Sequence, residues 1–583
     1  MRYFWRTASR SAYIPFLEKL ELTVRAFSAS GRALFFFFAG LCIFSSVALL
    51  AMLNNSLLVA VPASGGTLGE GIIGTPRFIN PVLAMSDADR DISTLVYSGL
   101  LKATPQGGYT EDLAAQYTIS PDGAVYTFTL RDATFHNGMK VTADDVLFTI
   151  AKTQDPALKS PLRANWDGVV AEKVDAKTVR FTLRSAYAPF IENATLGILP
   201  KTLWEGVSSE EFPFSDLNTS PIGTGPFKLA SISRTASGIP SAYELRPFAN
   251  YVLGRPYLNS IRLQFYQSEQ DLVNALEDGD IDAVGGISSA ALAQIQDFPL
   301  SRAPLNRVFG VFFNQNQSAV LRDKDVRRAL DMAIDRDQMV AEVLHGFGTP
   351  LEEPVPPTAV RASRTARTST TTNALLAQQA LIKAGWVLKE SVLTKTTGTG
   401  KNAATEELAF TLATANVPEL RAAAEYVRTV WGEMGARVNV QIFDQGDLSQ
   451  NVIRPRKYDA LLFGEIIGRE LDLYAFWHSS QRNDPGLNIA LYANSTADGL
   501  LEKMRSTTDN AKRMSLYAQF ATEFKNDIPA IFLYAPDFVY SMPKDMKGVT
   551  LGSIETPSDR FLSAATWHRQ IDYVWPIFQG ATH

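Results

Sequence analysis

The sequence is poor in the residues on which most site chemistry depends. Its single cysteine, Cys42, excludes an intramolecular disulfide framework and any zinc site built on thiolates. The five histidines, His136, His345, His478, His568 and His583, are too dispersed to present metal-ligand spacing. There is no excess of positive charge either: 55 Lys and Arg stand against 60 Asp and Glu. The bases are scattered among acids rather than striped, so nothing builds a field for nucleic acid. Neither an H-E-x-x-H pair nor a G-x-S-x-G elbow occurs, which removes the usual hydrolase signals. Thr397-Gly-Thr-Gly-Lys401 has the glycines of a phosphate loop. Asn402, however, takes the place of the magnesium-binding hydroxyl, and no apolar strand precedes it. Enzymatic activity, a cofactor and a nucleic-acid partner are therefore not expected, and no repeat of solenoid period is seen.

What is present is apolar and long. With 583 residues, 46% of them hydrophobic and 20% charged, the chain can fill several cores, roughly three or four domain-sized units. Leu34 to Leu53 is an uncharged apolar run of 20 residues, enough for a helix across a bilayer core of about 30 Å. Arg2, Arg6, Arg10, Lys19, Arg25 and Arg32 precede or border it against Glu18 and Glu21. The positive-inside tendency then places residues 1–33 in the cytoplasm, an uncleaved anchor at 34–53, and the globular body outside, in the periplasm or at the cell surface. The alternative is a cleaved signal peptide with Val61-Pro62-Ala63 as its cleavage site. Against it stand the length of the preceding segment and an apolar run longer than the roughly 7–15 residues of a signal core. Cys42 lies inside the run behind Leu41, where a lipoprotein site needs a small residue, so it reads as a membrane-buried thiol.

Beyond a glycine-rich stretch, Gly65 to Gly74, which reads as a flexible link, strand and helix patterns alternate. Val125–Leu130 and Val179–Leu183 have the period-two pattern of half-buried strands. Thr142 with Asp145 forms a capping-box start to an amphipathic helix. Ser268 caps a helix bearing Leu272, Val273 and Leu276, followed by the turn Gly279-Asp280 and the strand Ile281–Ala283, a helix-to-strand unit of an α/β domain. Asp325 and Asp337 are read as caps of two short tandem helices. Arg361–Thr372 and Thr394–Thr405 read as exposed loops flanking a helix over Ala374–Gly385.

Several stretches, taken in order, resemble family 5 of the extracellular solute-binding proteins, the peptide, dipeptide and nickel receptors of ABC importers. They are Phe78-Ile-Asn-Pro81, Leu95–Leu100, Phe135-His-Asn-Gly138, Thr142–Val146, Pro221–Phe227, Asp325–Leu330, Ala333–Asp337, Gly348-Thr-Pro350, Pro354–Pro357 and Ala384-Gly-Trp386. The resemblance implies an α/β, two-lobed periplasmic-binding-protein-like fold of the large peptide-receptor subclass, here behind an N-terminal transmembrane helix. By analogy the core of the first lobe comprises 64–105, 220–306 and 530–583, with an accessory domain at 106–219, and the second lobe is 307–529. Val308–Phe313 and Ile531–Tyr534, apolar runs suited to buried strands, are expected hinge strands. The implied function is capture of a peptide or other small solute by a monomer, for presentation to the permease subunits of an ABC importer. A tethered solute sensor without a transport role is the alternative.

In such receptors a Trp-x-Ala-Asp-like segment carries an aspartate that pairs with the peptide's α-amino group. The matching stretch here reads Phe463-Gly-Glu-Ile-Ile-Gly-Arg-Glu-Leu-Asp472 and leads to Tyr474-Ala-Phe-Trp477-His478. Arg469 lies near the place of that aspartate, leaving Glu465, Glu470 or Asp472 as a substitute charge. The ligand-contacting set implied is Phe463, Gly464, Glu465, Asp472 and Trp477, together with Asn314, Met85 and Asp87.

Overall fold

The computed structural model describes residues 23–358, 373–397 and 404–578. The glycine-rich stretch is where it first departs from the sequence reading. Thr67–Ile73 is a strand in the long mixed sheet, parallel to Ser260–Tyr266 on one side and Ala283–Gly285 on the other. The glycines serve close packing: a Cβ on Gly71 would collide with Leu272 Cδ1 and Ile281 Cδ1. A helix and a following strand segment can approach the sheet only because that side chain is missing.

Several expected elements form in place. Val125–Leu130 is a strand, flanked by Ala114–Ile119 and Thr178–Thr182, with Val170–Lys173 completing a four-stranded antiparallel sheet. Thr142 and Asp145 close a capping box on the helix Ala143–Gln154. Ser268 caps Glu269–Glu277 through Asp271 N, although the strand that follows is Ala283–Gly285 rather than Ile281–Ala283. The tandem helices start earlier than expected. Asp323 caps Lys324–Ala333 and Asp335 caps Arg336–Val343, so Asp325 and Asp337 lie in the first turns, where carboxylates favour the positive end of the helix dipole.

Arg361–Thr372 lies outside the described residues, as does the glycine-bearing part of Thr397–Lys401. The flanks of the second expected loop are strands: Thr394, Lys395 and Thr396 pair with Glu407, Glu406 and Thr405. Their β-branched threonines suit a pleated surface better than their polarity suggests.

The long sheet runs, neighbour to neighbour, through Arg437–Phe443, Ala409–Ala415, Ala460–Ile466, Arg307–Phe313, Ala530–Ser541, Ala283–Gly285, Thr67–Ile73, Ser260–Tyr266, Pro240–Pro247 and Phe227–Arg234. The 12-residue strand Ala530–Ser541 is its pivot. Ile531 to Tyr534 pack into a core that also holds Phe312, Trp431, Trp477 and Phe524, whereas Phe538 and Tyr540 pack into a second core with Leu68, Ile92, Tyr243 and Trp567. A third core, with Phe128, Trp166, Phe181 and Phe190, lies beneath the four-stranded sheet. The body is thus mixed α/β and two-lobed, with both lobes sharing one strand.

Residues 64–570 form this body. The remaining unit contains the helix Ala29–Leu57, whose side chains are buried nowhere along its length, and the strand Val59–Ala63, paired with Gln570–Val574.

Candidate functional site

A buried ion-pair triad fixes one wall of the site. Arg560 donates from Nε to Glu70 Oε1 at 2.7 Å and from Nη1 and Nη2 to the two oxygens of Asp91 at 2.9 and 2.7 Å. All three side chains are at most 2% exposed. Desolvation holds both carboxyls above their ordinary range, opposed by the guanidinium. The bidentate geometry clamps the helix Asp87–Val96 against the segment Pro557–Thr566 and the strand Thr67–Ile73. The helix itself starts with a Ser86–Asp89 capping box.

Above this clamp lies a cavity of about 210 Å³. Ser93, Tyr97 and Ser98 line it from the end of that helix and the turn after it. Lys102, Tyr109 and Asp112 come from the adjoining hairpin, Glu192 and Thr195 from Ala188–Thr195, Tyr251 from a turn, and Glu555 and Asp559 from the C-terminal region. Arg469 enters from the opposite side, on the loop after the strand Ala460–Ile466.

The Arg469 guanidinium is 4% exposed and is bound to Asp559 through Nη2, with Nε 3.8 Å from Glu555. Its Nη1 has no partner, and neither has the Tyr109 hydroxyl. Ser98, Asp112 and Tyr251 face one another across the cavity without a well-formed hydrogen bond among the Ser98 Oγ, Asp112 Oδ1 and Tyr251 hydroxyl atoms. Such concentration matters because buried polar groups are nearly always satisfied, and each lapse costs about 1–3 kcal/mol.

The electrostatics lean acidic. Burial raises Asp112 to about 6 even though Lys102 opposes the shift, and burial lowers Lys102. Glu192 and Glu555 both line the cavity. Both carboxyls are held above their usual range, first by burial and then by neighbouring carboxylates, with Arg469 pulling the other way.

Next to Arg469, three further contacts hold the same loop. Glu470 binds Arg513 at 2.8 Å, Asp472 binds Arg505 at 3.2 Å, and the Tyr187 hydroxyl donates to Asp472 Oδ2 at 3.0 Å. The Arg505 guanidinium sits over the rings of Tyr187 and Tyr474. The stretch 469–472 is therefore docked on residues 187–192 and 555–559, which lie far from it in sequence.

Of the ligand-contacting set expected from sequence, Asp472 is in this docked loop, and none lines the cavity. Trp477 is fully buried, stacked on Phe312 and edge-on to Phe524, because the short helix Tyr474–Trp477 turns it into the core. Glu465 is buried on the sheet opposite Val308, both carboxyl oxygens unpartnered and its pKa driven well up by desolvation. Phe463 is half-buried, and Gly464 faces the Phe309 ring, which a Cβ would approach to 2.5 Å. Asn314 is buried and donates to the Arg456 carbonyl. Met85 is exposed, and Asp87 is an exposed partner of Arg90. Sequence reasoning missed Lys102, Tyr109, Asp112, Glu192, Tyr251, Glu555 and Asp559. Only Arg469 carried a signal, as a departure from an expected motif.

Comparison with known proteins gives a consistent picture. Residues 108–486 match the family described as bacterial extracellular solute-binding proteins, family 5 Middle. The chain is 28% identical over 499 residues to oligopeptide-binding protein AppA of Bacillus subtilis, covering 84% of this chain and 89% of that one. It is 26% identical over 510 residues to the probable D,D-dipeptide-binding periplasmic protein DdpA of Escherichia coli, covering 84% and 92%. A solved structure of AppA from B. subtilis in complex with a nonapeptide superposes with a TM-score of 0.63 at 26% identity, over 87% of this chain and 99% of that one.

Proposed function

We propose that this chain, which belongs to family 5 of the bacterial extracellular solute-binding proteins, is the receptor of an ABC importer that encloses a peptide or other small solute between its lobes. Proteins of this family are binding receptors and not enzymes. The observation that supports an enclosed ligand is the cavity beneath Arg469, where unmet hydrogen-bonding groups from distant parts of the chain converge. We assign the first-lobe core to 64–105, 220–306 and 530–583, the accessory domain to 106–219 and the second lobe to 307–529. The separate cores and the strand common to two of them support that division.

The mechanism needs no covalent step. A solute that touches both walls of the cleft favours the closed form by its differential affinity for that form, and the closed form is what a permease can distinguish. The contacts of Arg469, Glu470 and Asp472 would form on closure and break on opening. Specificity would come from the charged and hydroxyl groups of the cavity rather than from the apolar core. The helix Ala29–Leu57, apolar and exposed along its length, would tether the receptor to the membrane beside its permease.

The test is chemical identification of the cargo. Protein purified from its native host and then denatured should release one class of small solute at close to one per chain, by mass spectrometry. Rebinding of that solute should be lost in a strain-independent assay when Arg469 is replaced by alanine. Release of no solute, together with no binding from a small-molecule extract, would remove the receptor reading.

A further inference from the structure

Resting on the reading of Ala29–Leu57 as a membrane tether, we propose that residues 571–577 make a second membrane contact, laying Tyr573, Trp575 and Ile577 into the outer headgroup layer of the bilayer that this helix crosses. Three observations lead there. The first is a one-sided apolar stripe. Ile571, Tyr573, Trp575 and Ile577 are 43%, 67%, 43% and 81% exposed. Ile571 and Tyr573 share one face of the strand Gln570–Val574, with Asp572 on the other, and Trp575 and Ile577 continue the alternation into the turn Pro576–Phe578. A row of large apolar side chains marks a surface that something covers. Trp and Tyr are the residues that collect where a bilayer meets water.

The second is the path of the chain. A Cβ on Gly65 would collide with the Gln570 side chain, and Arg569 Nη1 donates to the Thr67 carbonyl at 3.0 Å. The two ends of the body, 64–570, therefore lie side by side. From there the chain runs back through Val59–Ala63 toward the helix and forward through Gln570–Val574. These two strands pair with each other, so the pair is antiparallel, and the forward strand carries residues 575–577 to the level where Val59–Ala63 begins. Only Leu58 separates that level from the helix end at Leu57. The apolar run closes at Leu53, and residues 54–57 rise about 6 Å beyond it, within a headgroup layer of roughly 5–8 Å on each side. Trp575 and Ile577 emerge in that layer.

The third observation is the ribbon's own poverty of cover. Gln570, Ile571, Asp572 and Tyr573 are all exposed, and an isolated two-stranded ribbon is marginally stable in water at best. Among the described residues nothing shields that strand. The bilayer is the apolar phase whose position the chain itself fixes, because its own helix crosses it one residue away from the ribbon. Two chains in place of one then join the body to the membrane, which limits how far the receptor swivels about its anchor.

Nitroxide labels on the full-length protein, reconstituted in phosphatidylcholine–phosphatidylglycerol nanodiscs at one chain per disc, test this. Single cysteines are introduced in a Cys42→Ser background as Asp572→Cys, Tyr573→Cys, Ile577→Cys, Leu49→Cys in the helix and Ser237→Cys in the body. Relaxation by oxygen is then compared with relaxation by a water-soluble nickel chelate. The expected result is that nickel access at positions 573 and 577 falls at least about threefold below that at 237 while oxygen access rises, as at a bilayer interface. Position 572 should stay within about twofold of 237, because it lies on the other face of the strand. Trp575→Ser combined with Ile577→Ser should return nickel access at 573 to the level of 237. Nickel access at 573 and 577 equal to that at 237, with position 49 shielded, overturns the second contact and leaves the tether intact. Low access of both probes at 573 and 577 would reveal a protein cover in place of lipid and overturn it too, as would shielding of 572 equal to that of 573 or shielding that survives the double substitution. Free nickel access at position 49 would remove the tether and the proposal together.

Discussion

Glu465 is a carboxylic acid placed inside a sheet without a partner, and its pKa lies above that of the unfolded chain. Its folded form therefore binds more protons than the unfolded form as pH rises past the ordinary carboxylate range. The contribution of this one group to stability is accordingly fully present below the ordinary carboxylate range and is lost as pH rises above it. Glu465→Gln should stabilise the protein by about 1–3 kcal/mol at pH 7.5 and by far less at pH 4.5, measured by urea unfolding at the two values. Equal effects at both would mean that Glu465 is not buried as an acid. Arg560 makes the opposite case. Replacing it with methionine strands Glu70 and Asp91 in the core and should cost about 3–5 kcal/mol, read as a fall in the urea midpoint. At this scale the sequence was least legible. Gly71 read as linker composition because its function depends on Leu272 and Ile281, which only the fold brings to it. Glu465 read as a ligand-contacting charge because nothing in a one-dimensional pattern reveals an unpaired acid in a sheet.

Helices and strands were read with more success where a local rule decided them. The Thr142 and Ser268 caps need only their own first turns. Where two acids two residues apart could each cap, as with Asp323 and Asp325 or Asp335 and Asp337, local chemistry is degenerate, and in both helices the earlier one is the cap. The docked loop after Ala460–Ile466 is the element on which closure would depend. Arg505 holds Asp472 and covers the Tyr187 ring, but it is 37% exposed, so screening limits its contribution to about 1 kcal/mol. Arg505→Ala should speed dissociation of the bound solute about fivefold with little change in the melting temperature, measured by stopped-flow displacement. A large loss of stability with unchanged dissociation would make this contact a structural support rather than a latch.

Across the whole molecule the family resemblance was legible because its signatures are short and ordered, and it carried the two-lobed architecture with it. The cavity was not legible. Its walls come from residues near 93–112, 192, 251, 469 and 555–562, and no spacing rule links positions so remote. The apolar run at 34–53 lies within the helix Ala29–Leu57. If that helix is an uncleaved anchor, the full-length protein should resist a high-salt wash of membranes, dissolve in detergent and retain its N-terminal residues by mass spectrometry. A soluble product beginning near Ser64 would show cleavage instead. The most direct test of solute-driven closure is the distance between spin labels on the two sides of the shared strand, at Ser237→Cys and Glu433→Cys in a Cys42→Ser background. Double electron–electron resonance should give a broad distribution in dialysed full-length protein. On adding an ultrafiltered yeast extract, which supplies amino acids, peptides and other small solutes, it should collapse to a narrower, shorter one, and it should return after dialysis. A distribution unmoved by the extract would contradict the account.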